Sequence, residues 1–192
     1  MPYPLQITAE DVIAAARKLI EQEGLDQLAL ARLATALGVK APSLYRLFPS
    51  KSALLRAMNE TTLHDLAAAM NEGIAQAGDN PEAKIMGMAA AYRAFALRFP
   101  AAYGLLFATT IADVRGDPEM AEAVALPLQA IMAQIAGPEQ ALTALRGAWA
   151  LAHGFIMLEL NGQFQRGGDL EAAYLHAVQV YAAGWRERRL GR

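Results

Sequence analysis

Five cations, Arg32, Lys40, Arg46, Lys51 and Arg56, stand between Asp26 and Glu60 with no acid among them. Lys and Arg neutralise phosphates, so an acid-free basic window is the electrostatic footprint of a nucleic-acid-binding surface. Enzymatic chemistry has no comparable support. The three His, at 64, 153 and 176, lack metal-ligand spacing, and there is no Cys to act as thiolate ligand or nucleophile. No Gly-rich phosphate loop follows a strand pattern, and no Ser stands in a nucleophile elbow. No metal or cofactor is expected.

The window needs elements to position it, and its apolar residues supply them. Leu30, Leu33, Ala34 and Leu37 recur at i, i+3, i+4 and i+7 and share one helix face. Gly38 ends that helix, and Val39 and Leu44 continue the buried side. Lys40, Ser43, Tyr45 and Arg46 then point outward. This is a helix-turn-helix pattern, whose second helix is shaped to enter a DNA major groove. The plainer reading is a helical hairpin with a solvated polar face.

With 192 residues the chain can form one or two domains and bury a core. It is Ala-rich and 55% hydrophobic with 7% aromatics, which favours helices over sheets. The net charge of −2 conceals a basic excess in residues 1–60 and an acidic one beyond them. A mildly acidic whole is therefore compatible with DNA binding. The first residues lack the regions of a signal peptide. The longest uncharged run, Ala123 to Pro138, is too short to span a bilayer. A soluble, cytoplasmic protein without membrane contact is expected.

Start and stop signals divide the chain into about nine helices. Thr8-Ala-Glu-Asp11 opens the first and Gly24 stops it. Ser50 caps a long fourth helix reaching toward Gly78, and Asn80-Pro81-Glu82 restarts the chain. Pro100 ends the fifth helix near Phe99, a short sixth covers Ala101 to Phe107, and Ile111 to Gly116 reads as loop. Asp117-Pro118 opens the seventh, which Pro127 should kink or divide. Pro138-Glu139 starts the eighth helix, which runs to Asn161. Asp169 starts the ninth, which ends among Arg186, Arg188 and Arg189. The expected fold is all-α, with a DNA-binding head over residues 1–50 and a second helical domain over 51–192.

The pattern Leu33-Ala34…Leu37-Gly38-Val39…Pro42-Ser43-Leu44-Tyr45-Arg46…Phe48-Pro49-Ser50-Lys51…Leu54-Leu55 resembles the tetracycline-repressor (TetR) family of bacterial transcription regulators. Farther on, Trp149-Ala-Leu-Ala-His153-Gly154-Phe is similar to one branch of that family named for a Trp…His-Gly signature. The resemblance implies an all-helical homodimer in which helices eight and nine pair across the dyad. It also implies that Pro42, Ser43 and Tyr45 touch bases or adjoining backbone and that Lys51 meets a phosphate. Lys40 and Ala41 fall at variable positions that help set sequence preference. Three departures stand out: Leu47 where a His is frequent, Ala29 where Ser or Thr often caps, and an N-terminal arm before Thr8 without basic residues.

The second domain concentrates bulky groups that could line an effector pocket: Tyr92, Phe95, Phe107, Met132, Trp149, His153 and Met157. Trp149, His153 and Met157 share a face of helix eight, while Gly147, Leu151, Gly154 and Leu158 form a smaller one. The small face, with Val178 and Tyr181 of helix nine, is expected at the dimer seam and the bulky face toward the pocket. The spacing is compatible with the reverse assignment, and any single bulky residue is more readily ordinary core. The expected function is a ligand-responsive regulator, a repressor that binds palindromic operator DNA as a homodimer. A small apolar or aromatic effector would release it. The alternatives are an activator or effector-independent regulator of the same fold, or an interaction module that has lost DNA binding.

Overall fold

The computed structural model describes residues 7–108 and 118–191, and among them there are nine α-helices and no strand. They are α1 (Ala9–Glu23), α2 (Leu30–Ala36), α3 (Ala41–Leu47), α4 (Lys51–Gln76) and α5 (Pro81–Arg98). After these come α6 (Pro100–Leu106), α7 (Pro118–Ala136), α8 (Ala141–Leu160) and α9 (Leu170–Leu190). The loop expected over Ile111 to Gly116, the Asp117 cap and the arm over residues 1–6 lie outside the described residues.

Local chemistry explains the boundaries. Thr8 and Asp11 form a reciprocal capping box at the start of α1. Its backbone N–H bond from Thr8 holds the Asp11 carboxyl below the usual carboxylate range. Ser50 Oγ accepts from Ala53 N–H at 3.1 Å, Asn80 Oδ1 from Glu82 and Ala83, and Asp169 Oδ1 from Ala172. Ala29 holds the N-cap position of α2 without a side-chain bond. Pro127 does not divide α7. It lies on the exposed side, as does Ala123 one turn earlier, where a carbonyl deprived of its N–H partner can be hydrated.

The chain forms two compact units, one of residues 1–64 and 99–117, the other of 65–98 and 118–192. The division expected at residue 50 thus falls farther along, inside α4, and a later segment rejoins the first unit. Burial is the reason. Leu54, Leu55 and Met58 of α4 and Ala102 and Leu105 of α6 belong to the same core as Val12, Ala16, Ile20, Leu33 and Leu44.

A carboxylate fixes α6 in this first unit. Phe99, its N-cap residue, offers no side-chain bond, and Pro100 has no N–H. The next two amides, of Ala101 and Ala102, donate to Glu21 Oε2 and Oε1 at 3.0 and 2.8 Å. Those are the donors an α-helix start leaves unpaired. The Arg17 guanidinium lies over the Phe99 ring at 5.1 Å.

In the second unit α8 packs on α7 and α9, and α5 on α7, α8 and α9. Tyr92, Phe95, Met132, Ile156, Tyr174 and Val178 are among its buried residues. Arg93 and Glu159 form an ion pair with both side chains 11% exposed, at 2.9 and 2.6 Å. Hydrogen bonding to Glu159 binds the guanidinium proton still more firmly. Gly73 of α4 and Gly87 of α5 cross so closely that a Cβ on either would strike the other's carbonyl oxygen. Gly147 plays the same part beneath the Tyr181 ring, whose hydroxyl donates to Ala144 O at 2.8 Å.

Because Glu21 accepts from both Ala101 and Ala102 at the start of α6, Glu21→Ala is expected to destabilise the protein by about 1–2 kcal/mol. Glu21→Gln, which still accepts from one amide, should lose less. Urea unfolding of the three proteins checks the ranking.

Candidate nucleic-acid interface and effector-domain residues

The turn between α2 and α3 is a Schellman motif. Val39 N–H donates to Ala34 O at 3.0 Å and Gly38 N–H to Thr35 O at 3.2 Å. Gly38 adopts a φ of 66°, which a side chain would strain. Ala34 and Leu44 are buried on the two sides of this turn. Ser43 N–H closes the first turn of α3 on Lys40 O at 2.9 Å.

That anchoring leaves one side of α3 open. Pro42, Tyr45 and Arg46 are exposed, as is Lys40 just before the helix, and the Tyr45 ring is 50% accessible. Ala41 and Ser43 are half-buried at its edges. The structure therefore brings together six of the seven residues expected to meet DNA on one short helix and its cap. The seventh, Lys51, opens α4, where it is exposed and its Nζ donates to Leu25 O at 3.4 Å.

The basic window is less uniform than the sequence suggests. Arg32 is tied to Glu23 and Gln27. Glu23 lies just outside the acid-free stretch, so counting charges along the chain missed the pairing. Lys40 and Arg46 remain on the outer side of the turn.

The expected pocket residues are dispersed. Tyr92, Phe95 and Met132 are buried in the second unit, whereas Phe107 belongs to the first and meets Tyr103 edge-on at 5.0 Å. His153 and Met157 are half-buried, and burial pushes the His153 imidazole toward its neutral form. Trp149 is 43% exposed on α8, whereas Met132 is fully buried.

The residues expected at a dimer seam divide as well. Val178 is turned inward, and Gly147 and Tyr181 meet each other within the chain, because α9 packs on that edge of α8. Leu158 is exposed, and Leu151 and Gly154 are half-buried. At about 100° per residue, Trp149 and Leu158 stand on opposite edges of the outward face of α8, with Ala150 and Gly154 between them. By length and composition Pro138–Leu160 could cross a membrane, its most apolar 18 residues having mean hydropathy 1.3 with 22% of them buried.

Sequence reasoning missed Glu21, Arg93 and Tyr174. For Glu21 a signal existed: an acid in the last turn of α1 opposes the helix dipole and calls for a partner elsewhere. Arg93 and Glu159 are 66 residues apart, and nothing local marks them as a pair.

Residues 12–58 match the family described as bacterial regulatory proteins of the tetR family, and 85–181 match the tetracyclin repressor-like C-terminal domain. An HTH-type transcriptional regulator of Mycobacterium tuberculosis is 32% identical over 96% of this chain and 84% of its own length. A protein of unknown function from Rhodococcus sp. RHA1 has a TM-score of 0.81 at 25% identity, covering 96% of this chain and 98% of that one. A TetR variant from Acinetobacter baumannii AYE, solved with minocycline, shares the fold at a TM-score of 0.71 and 24% identity, covering 96% and 98%.

Substitutions on the open side of α3 should affect DNA rather than folding. Tyr45→Ala is expected to weaken specific DNA binding by about 1–2 kcal/mol, with stability unchanged to within about 0.5 kcal/mol. Lys51→Ala should weaken all sequences alike and lower the salt slope by about one unit. Fluorescence anisotropy across a salt series distinguishes the two.

Proposed function

Since the chain belongs to the tetracycline-repressor family of bacterial transcription regulators, we propose that it is a cytoplasmic, homodimeric repressor released from its operator by a small molecule. It is a DNA-binding regulator and not an enzyme. The observation that carries this reading is the α3 surface, where Lys40, Pro42, Tyr45 and Arg46 stand open around a buried Leu44. A seven-residue helix with that exposure can present its side chains to base edges while Lys51 holds a phosphate. Ala41 and Ser43 complete the contact.

Two such helices, one per subunit, would read the halves of a palindromic site. The dimer seam is assigned to the outward face of α8, with Ala150 and Gly154 at its centre and Trp149 and Leu158 at its rims. Exposed Leu142, Trp149 and Leu158 on α8, and Val180 on α9, support this, because so apolar a helix is unusual when left uncovered. A second subunit covers it more economically than a bilayer, which would also have to take in α9, packed beside α8 and carrying Glu171, Arg186, Glu187, Arg188 and Arg189.

Effector binding is assigned to the second unit, around buried Tyr92, Phe95 and Met132. An apolar lining of this kind suits a hydrophobic or planar ligand. The helix α4 contributes residues to both units, so a ligand that moves its second half has a direct route to the head. Couplings of about 1–3 kcal/mol are typical of such systems and suffice to empty an operator.

Sequencing DNA fragments selected by the purified protein tests the reading. Recovery of a palindromic motif supports it, and recovery of random fragments would sink it. In the same protein Ala150→Glu places a charge at the centre of the seam in both subunits. It is expected to weaken dimerisation at least about thirtyfold in sedimentation velocity, with helicity retained. A dimer of parental tightness would move the seam elsewhere.

A further inference from the structure

Tyr174, in the first turns of α9, is fully buried, and its Oη has no hydrogen-bond partner among the described residues. Leaving such a hydroxyl unpaired is less favourable than replacing it by a ring hydrogen, so its presence asks for a ligand to satisfy it. A row of rings leads to it. Phe155 of α8 lies beside Tyr174 with ring centroids 5.3 Å apart, and Phe164 beside Phe155 at 4.7 Å. Exposure rises along the row, from 0% at Tyr174 to 36% at Phe164. Phe164 belongs to the connection 161–169, every residue of which is exposed. The rings pack on one another at tilts of 55° and 44°, a continuous aromatic path from the exposed connection down to the phenol.

The charges around the phenol choose among ligands. Burial keeps the Tyr174 hydroxyl protonated far above neutral pH, with Tyr92 acting in the same direction and Arg93 against it. The group is thus a donor and wants an acceptor. Arg93 is not a spare cation for an anion, since Glu159 takes its Nε and one terminal nitrogen at 2.9 and 2.6 Å. Glu171 approaches the other nitrogen at 3.4 Å. With two carboxylates upon it, the guanidinium is already paired. Burial, the main influence on the phenol, disfavours an anionic acceptor beside it more than a neutral one.

We propose that Tyr174 is the polar anchor of an effector site reached past Phe164 and Phe155 between α8 and α9. The site takes flat, uncharged aromatic molecules bearing a carbonyl oxygen, which accepts the phenol O–H. The proposal rests on the ligand-responsive reading above and narrows its hydrophobic or planar ligand to one with a neutral carbonyl acceptor.

Isothermal titration of the full-length protein with 2-acetylnaphthalene, 2-ethylnaphthalene and 2-naphthoate tests it, because the three share a ring system and differ in the acceptor. The ketone is expected to bind about tenfold tighter than the ethyl compound, and the carboxylate more weakly than the ketone. In Tyr174→Phe the ketone should lose its advantage while the ethyl compound binds as before. The ligand-free variant should melt at or above the parental temperature, since only an unpaired hydroxyl is removed. The proposal is overturned if the ketone's advantage survives in Tyr174→Phe, if parent binds ketone and ethyl compound equally, or if none of the three binds. A lower melting temperature for Tyr174→Phe would also overturn it, by showing that the hydroxyl already has a partner. Calorimetry involves no DNA, so a protein that passes this test yet never binds an operator fails the repressor reading alone.

Discussion

Helix α3 has seven residues, too few to be helical in water by themselves, and everything this protein does with DNA depends on holding it. One residue of α3, Leu44, is fully buried. Around it the head assembles Ala34 and Leu33 from α2, Val12, Ala16 and Ile20 from α1, and Leu54, Leu55 and Met58 from α4. Ala34 is small where Leu44 must approach, and the Gly38 turn aims the chain back across it. The open side of α3 is the residue of this arrangement: whatever does not face Leu44's neighbours faces solvent. A recognition surface thus emerges as the complement of a core.

That core reaches beyond the first fifty residues. Helix α6, after an excursion through the second unit, returns Ala102 and Leu105 to the head. Its start has an apolar N-cap residue and a proline, so it cannot satisfy its own amides. Glu21 does so from α1 and thereby also relieves the awkwardness of an acid near the end of that helix. A single carboxylate corrects two local defects at once. Each defect seen alone in the sequence looks like a poor choice.

The second unit combines an internal polar constraint with an apolar exterior. The Arg93–Glu159 pair ties α5 to α8 where both side chains are mostly hidden, and its geometry gives direction to an otherwise apolar interface. Close approach is left to glycines, Gly73 against Gly87 and Gly147 beneath Tyr181. With these contacts made inside the chain, the apolar side chains left outside α8 are those at its outward face, Leu142, Trp149 and Leu158. Interior and exterior of α8 are therefore decided together: the packing of α9 on Gly147 fixes which residues stay exposed.

Much of this was legible without coordinates. Caps, prolines and glycines act over three or four residues, so the nine helices, the Gly38 turn and the outward placement of Tyr45 and Arg46 follow from the sequence alone. The basic window followed too, except that Arg32 is drawn to Glu23 across a turn. Which unit α6 joins, where α4 divides and which edge of α8 is covered did not follow. Periodicity tells that a helix has an apolar stripe but not what meets it, and α8 is apolar nearly all round. The partners of Glu21, Arg93 and Gly147 lie dozens of residues away in the chain, so only the tertiary structure could assign them. The same holds for Tyr174, an aromatic residue whose hydroxyl is buried without a hydrogen-bond partner among the described residues.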